Sequence, residues 1–166
     1  MKMPTMAEVQ AEEADLQFTS FSNETALKIG QQLVALAHDR KAAVTIDITR
    51  NRQQLFHAAM PETAINNDKW LQRKINTVYE YGTSSLHKQL EMAARGQTLE
   101  EAAALDARQY AAAGGGFPVI IKGTGLVGSI AVSGLASEED HQLIVDELRA
   151  FFRPVSYTHL TLPTKA

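Results

Sequence analysis

The stretch from Tyr110 to Gly134, YAAAGGGFPVIIKGTGLVGSIAVSG, constrains most strongly what this chain can fold into. Three adjacent glycines follow a helical segment and lead into two apolar runs, 117–122 and 126–133, separated by Gly123-Thr124-Gly125. Glycine collects where the main chain needs positive φ or where another group must come close to the backbone. The segment therefore reads as a β-hairpin with bare main chain at its entrance. Two uses stay open for Gly114, Gly115 and Gly116: strained hairpin architecture, or a ledge for a ligand. No GxGxxG lies between a strand and a helix, and Gly123-Thr124-Gly125 lacks the GK[ST] ending of a phosphate loop. Ser133-Gly134 is not a GxSxG elbow, which argues against a serine hydrolase.

The remaining elements follow from periodicity and punctuation. Residues 6–16 read as an acidic, alanine-rich helix and 17–21 as a short strand. Ser22 caps a helix whose apolar positions Leu27, Gly30, Leu33, Val34 and Ala37 recur at helical spacing. Ala43 to Thr49 alternates, with Val44, Ile46 and Ile48 on one face and Thr45, Asp47 and Thr49 on the other, as in a half-buried antiparallel strand. Its partner is 55–60, across a turn at Asn51-Arg52 in which arginine stands where glycine is usual. Asn66 or Asn67 opens a helix carrying Trp70, Leu71, Ile75 and Val78, and Gly82 ends it. Thr83 or Ser84 starts the next helix, Gly96 closes it, and a short helix follows from Leu99 to Leu105. Ser137 begins the final helix, with Asp140 three positions on as in a capping box. Together these predict an α+β fold, a profilin-like sandwich with a central antiparallel sheet of about five strands and flanking helices.

The 166 residues, 45% hydrophobic and 21% charged, have an ordinary globular balance and suffice for one core without metals or disulfides. One domain is expected over 1–155. The final residues, SYTHLTLPTKA, carry no apolar face and resemble adapter read-through, so 156–166, including His159, is set aside as a non-native tail. Cysteine is absent, which removes thiolate nucleophiles, disulfides and cysteine-based metal sites. A net charge of -3 without a basic block disfavours nucleic acid and anionic membrane as partners. Glu8, Glu12, Glu13 and Asp15 break up any secretory apolar region, so a cytoplasmic setting is expected. Lys122 and several glycines interrupt 119–132, which falls short of the roughly 20 apolar residues of a spanning helix.

Few residues stand out chemically. With a two-residue turn, His57 shares a face with Ile46 and Ile48, as a haem or metal ligand or as a hydrogen-bonded histidine beside the core. His141 follows three acidic residues at a helix start, where metal binding competes with plain capping. No second histidine at helical spacing accompanies it. Lys69, Arg73 and Lys74, with Asn76, give the Trp70 helix a cationic side, read either as a dock for carboxylates or phosphates or as a solvated face, with Trp70 in the core.

The ordered series Asp47-Ile48, Gln54-Leu55-Phe56, Asn67-Asp68-Lys69-Trp70, Arg73-Lys74, Asn76-Thr77-Val78, Tyr110-Ala111, Gly114-Gly115, Phe117-Pro118, Gly123-Thr124-Gly125, Val127-Gly128, Val132-Ser133-Gly134-Leu135 and Glu139-Asp140-His141 resembles the HbpS/GlcG-like proteins. It is closest to their small cytosolic branch labelled haem-degrading domain-containing, and the match runs from Leu16 to Phe152. The resemblance implies a profilin-like sandwich, a homo-oligomer, and haem as cofactor with haem degradation as the activity named for the family. On that reading Arg73 and Lys74 hold propionates with Asn76 nearby, His57 or His141 stands at or near the iron, and Gly114, Gly115, Gly116 and Phe117 let the flat ring approach. The alternative is a non-catalytic small-molecule sensor or oligomeric protein-interaction module, with a small anionic ligand in place of haem. A third option, an enzyme acting on small hydroxy acids or aldehydes, rests on the basic side of the Trp70 helix alone. The chain departs from the family at Asn51-Arg52, Pro61-Glu62-Thr63 and Ala113, where relatives often have Asn-Gly, Pro-Gly-Thr and a histidine.

Overall fold

A computed structural model describes residues 1–153; the tail expected at 156–166 lies outside them. Among the described residues six helices and four strands follow in the order α1 (Met6–Asp15), α2 (Asn23–Asp39), β1 (Thr45–Arg50), β2 (Gln53–Ala59), α3 (Ile65–Tyr81), α4 (Ser85–Arg95), α5 (Leu99–Ala103), β3 (Gly116–Ile121), β4 (Gly125–Ser133) and α6 (Ser137–Phe152). The sheet is antiparallel with order β2-β1-β4-β3. This is the α+β sandwich expected, with four strands where about five were expected. The segment 17–21 accounts for the difference: it contributes one parallel bridge from Phe18 to Ile121. Among the described residues no helix is long and apolar enough to cross a membrane.

One sheet face is apolar. Val44, Ile46, Ile48, Phe117, Val119, Ile130 and Val132 pack against Ile29 and Leu33 of α2 and Leu143, Ile144 and Leu148 of α6. The other face carries small and polar residues beneath α3, where Thr49 Oγ1 bonds to both Ser129 Oγ and Tyr79 OH at 2.7 Å. β1 is consequently buried on both faces, Thr45 as fully as Ile46 and Asp47 nearly so, in place of the half-buried strand that alternation predicts. Alternation reports polarity of the two faces, and here α3 covers the polar one.

The β1–β2 turn is Asn51-Arg52, both at positive φ (50° and 69°). Arginine is held in that conformation by its surroundings: its N–H donates to Tyr79 OH (3.0 Å), its guanidinium lies over the Tyr79 ring (4.3 Å), and Nη1 donates to Asn76 Oδ1 (2.7 Å). A bulge then changes the pairing. Ile48 faces Phe56 and Thr49 faces Gln54, leaving Leu55 as the extra residue. The one-residue shift turns every later β2 side chain over. Phe56 reaches the apolar face and fills the space beside Gly30 of α2, while His57 pairs with Asp47 on the opposite one.

Glu147 of α6 is only 6% exposed, and its Oε2 has no partner among the described residues. Burial pushes its carboxyl up to about 7, against the weaker pull of Lys28. A carboxyl whose folded pKa exceeds its unfolded one binds more protons in the folded state. Its contribution is therefore greatest at low pH and is lost as pH rises from about 4.5 to about 7. Glu147→Gln should flatten that loss and raise stability at pH 8 by on the order of 1–3 kcal/mol, measured by urea unfolding across pH. An unchanged pH profile would show that Glu147 is solvated.

Candidate functional site

Lys74 lies where α3 crosses the sheet end at which β4 hands over to α6. Its position on the inner side of α3 leaves it 3% exposed. Nζ donates to Asp140 Oδ2 and to Val132 O, both at 3.0 Å. Asp140 in turn accepts from Leu135 N (2.9 Å) and Gly134 N (3.3 Å), so the pair ties α3, the end of β4 and the first turn of α6 together. Burial drives Lys74 below the ordinary lysine range, with Asp140 opposing. Burial likewise pushes Asp140 up to about 6, against Lys74 and the two backbone donors. Both shifts have the same origin, the cost of taking a charge out of water. Lys74 is thus a buried member of an ion pair, and the solvated cationic face expected at this position does not include it.

Asp140 is available to Lys74 because α6 is capped one residue earlier than expected. Ala136 is the N-cap and Glu139 closes back on its N–H (3.3 Å). The capping role anticipated for Asp140 falls to Glu139.

The triglycine is no open ledge. Gly114, Gly115, Gly116 and Phe117 are all buried. Gly115 has φ +124°, and a Cβ there would strike Val132 O and come within 2.7 Å of Lys74 Nζ. Gly116 N donates to Ser85 Oγ (2.8 Å) and Gly114 N to Gln89 Oε1 (2.8 Å). The glycines let β3 pass between α3, α4 and the start of α6, so close approach is the reason for them, and the approaching groups belong to the protein.

The histidines are engaged as well. His57 Nδ1 meets Asp47 Oδ2 at 2.9 Å and Nε2 lies 3.1 Å from Asp68 Oδ1. It sits on the polar face and not beside Ile46 and Ile48, because of the bulge at Leu55. Burial raises the Asp47 carboxyl, with the hydrogen bonds from His57 and Gln54 opposing. His141 is fully buried, with Nε2 2.7 Å from Glu12 Oε1 and its ring tilted against Phe117 at 5.8 Å. Among the described residues no group of three or more potential ligands could hold a metal ion.

What the surface offers is a three-lobed depression around Trp70. A lobe of about 310 Å³ has Lys74 and Asp140 in its lining, with Asn67, Ala113 and Gly134. A second, about 440 Å³, is mostly apolar and includes Met92, Leu99, Tyr110 and Ala113. A third, about 590 Å³, carries Lys69, Arg73, Asn76 and Arg108. Trp70 borders all three, so it is a wall of the depression and not the core residue expected. Arg73 stacks on it at 4.2 Å, and its Nε is buried without a partner among the described residues. Asn76 is bound to Arg52 and to Gln109 O (2.7 Å). Of the residues expected at a site, the structure brings Arg73, Asn76 and Lys74 to this depression and puts His57 and His141 outside its lining. Ala113, where the resemblance expects histidine, borders two lobes, so that departure removes an imidazole from the wall.

The family model described as "Haem degrading protein HbpS-like" matches residues 21–149. The chain belongs to the HbpS-like family. A UPF0303 protein of Streptomyces coelicolor is 47% identical over 148 residues, 89% of this chain and 94% of that one. Among solved structures, the Ybr137w protein superposes with a TM-score of 0.83 at 28% identity, covering 91% of this chain and 88% of its own. The PduOC:heme complex has a TM-score of 0.68 at 17% identity, covering 79% and 94%. At that identity the last likeness speaks to the HbpS-like fold.

Sequence reasoning missed the Lys74–Asp140 and His141–Glu12 pairs, which join positions 66 and 129 residues apart. The available signal was a lysine on the helical row of Leu71, Ile75 and Val78, where an ordinary surface lysine does not belong. Asp140→Leu should cost about 3–5 kcal/mol by leaving a buried ammonium unpaired, whereas combining it with Lys74→Met should recover most of that loss. Urea unfolding of the double-mutant cycle measures this. Additive single effects would mean the two side chains are independent.

Proposed function

We propose that this protein binds haem in the depression around Trp70. The observation that carries the reading is the junction of an apolar lobe with a cationic one, sharing Trp70 and Arg73. A porphyrin has two flat apolar faces and two carboxylates on one edge. Met92, Leu99 and the alanines at 111–113 suit the ring, and Trp70 suits it by stacking. Lys69, Arg108 and the unpartnered Nε of Arg73 suit the propionates. The family's description and the haem complex of its structural neighbour PduOC support the same ligand.

These residues bind and orient the macrocycle. Bound haem supplies the redox chemistry of its iron. No histidine lines the apolar or cationic lobe among the described residues, and the one carboxylate in the apolar lobe's lining, Glu100, is exposed. The favoured function is therefore haem binding, with degradation as its unsupported extension. An oligomeric binding module is the second reading. Its support is the outer edge of β2, seven residues long at the end of the strand order and unpaired among the described residues, which suits pairing with a second copy.

Purified protein titrated with haemin should give a saturable, red-shifted Soret band. Arg73→Ala should weaken binding by about tenfold through loss of a charge-assisted contact. Absence of saturable binding overturns the reading, and equal affinity of the Arg73 variant removes the propionate assignment.

A further inference from the structure

The smallest lobe is not explained by haem. At about 310 Å³ it suits a molecule of a few carbons, and its lining includes Lys74 and Asp140, whose Nζ and Oδ2 are held 3.0 Å apart. We propose that Lys74 is a nucleophile that condenses with the carbonyl of a small aldehyde or ketone in this lobe, with Asp140 as its proton partner.

Moving one proton along the 3.0 Å contact from Nζ to Asp140 Oδ2 turns the ion pair into a neutral amine beside a carboxylic acid, with Nζ still bonded to Val132 O. Burial favours that uncharged form, and a desolvated lysine of this kind is the ordinary route to a reactive amine. Asp140 is pushed by burial up to about 6, the direction that favours its holding the transferred proton. It is oriented by Gly134 N and Leu135 N, so it keeps its place whether or not Lys74 is charged.

The step balances without any further reactant. The Lys74 lone pair adds to the carbonyl carbon, and one amine proton passes to the former carbonyl oxygen, giving a carbinolamine. Protonated Asp140 then gives its proton to that hydroxyl, which leaves as water. The product is an iminium on Nζ beside the Asp140 carboxylate. Asn67, Ser133 and Ser137, which also border the lobe, are placed to bond a hydroxyl or a second oxygen of the substrate. The class favoured is accordingly a small hydroxy- or oxo-substituted carbonyl compound.

The test uses the full-length protein without haem, so its result is independent of the haem titration. Protein is incubated with glycolaldehyde and cyanoborohydride at pH 7, and each lysine's alkylation rate is read by peptide mass mapping. Lys74 should label at least about tenfold faster than the exposed Lys28, Lys41, Lys69 and Lys122. In urea all should label alike. Ala113→Phe, which fills the lobe from its rim and leaves the pair intact, should suppress Lys74 labelling with no change in the unfolding midpoint. Native labelling of Lys74 no faster than that of the exposed lysines overturns the proposal, as does labelling that Ala113→Phe leaves unchanged.

Discussion

A single buried ammonium sets the geometry of one end of this molecule. Lys74 comes from the middle of α3, its carboxylate from the first turn of α6, and its carbonyl acceptor from the end of β4. Removing both charges from water costs several kcal/mol per ion. The contacts that offset this are two hydrogen bonds to Nζ and two backbone donors to Asp140. They are made only if β3 runs close enough to leave no space for a side chain at Gly115. The triglycine, the early cap of α6 and the position of α3 are thus parts of one arrangement.

The same arrangement shapes the surface. Holding α3 against the end of the sheet turns Trp70 outward, onto the depression bordered by the 97–113 segment. The chain then presents three adjoining chemistries: an amine and an acid in a small lobe, an apolar bed, and a cationic margin. The buried pair is tied to three elements, whereas Arg73 lies over Trp70 with its Nε unpartnered among the described residues. The histidines take no part in this, since each of the two anticipated ones is held by carboxylates elsewhere.

Most of the fold was legible because local rules and tertiary structure agree. Ser22 caps α2 through Thr25 N as its sequence predicts, and Gly82 and Gly96 end α3 and α4 in the left-handed conformation. Both hairpins follow from alternation and turn residues. The failures are those of register and of distance. Leu55 shows nothing in the sequence to mark it as a bulge, yet that one residue moves His57 from the apolar face to the polar one. Asp140 among three consecutive acidic residues looks like a dipole complement, and only the approach of a lysine 66 residues away distinguishes it from Glu139. Arg73 and Lys74 read alike as adjacent cations, although the helical turn of about 100° per residue sends one outward and the other into the core.

The most direct measurement is titration of the Lys74 side chain by NMR, with Asp140 followed through its carboxyl carbon. Lys74 should titrate below the ordinary lysine range, and Asp140 should titrate near 6. If both instead titrate at the values of free side chains, the pair is solvated and the account of this end of the molecule is wrong.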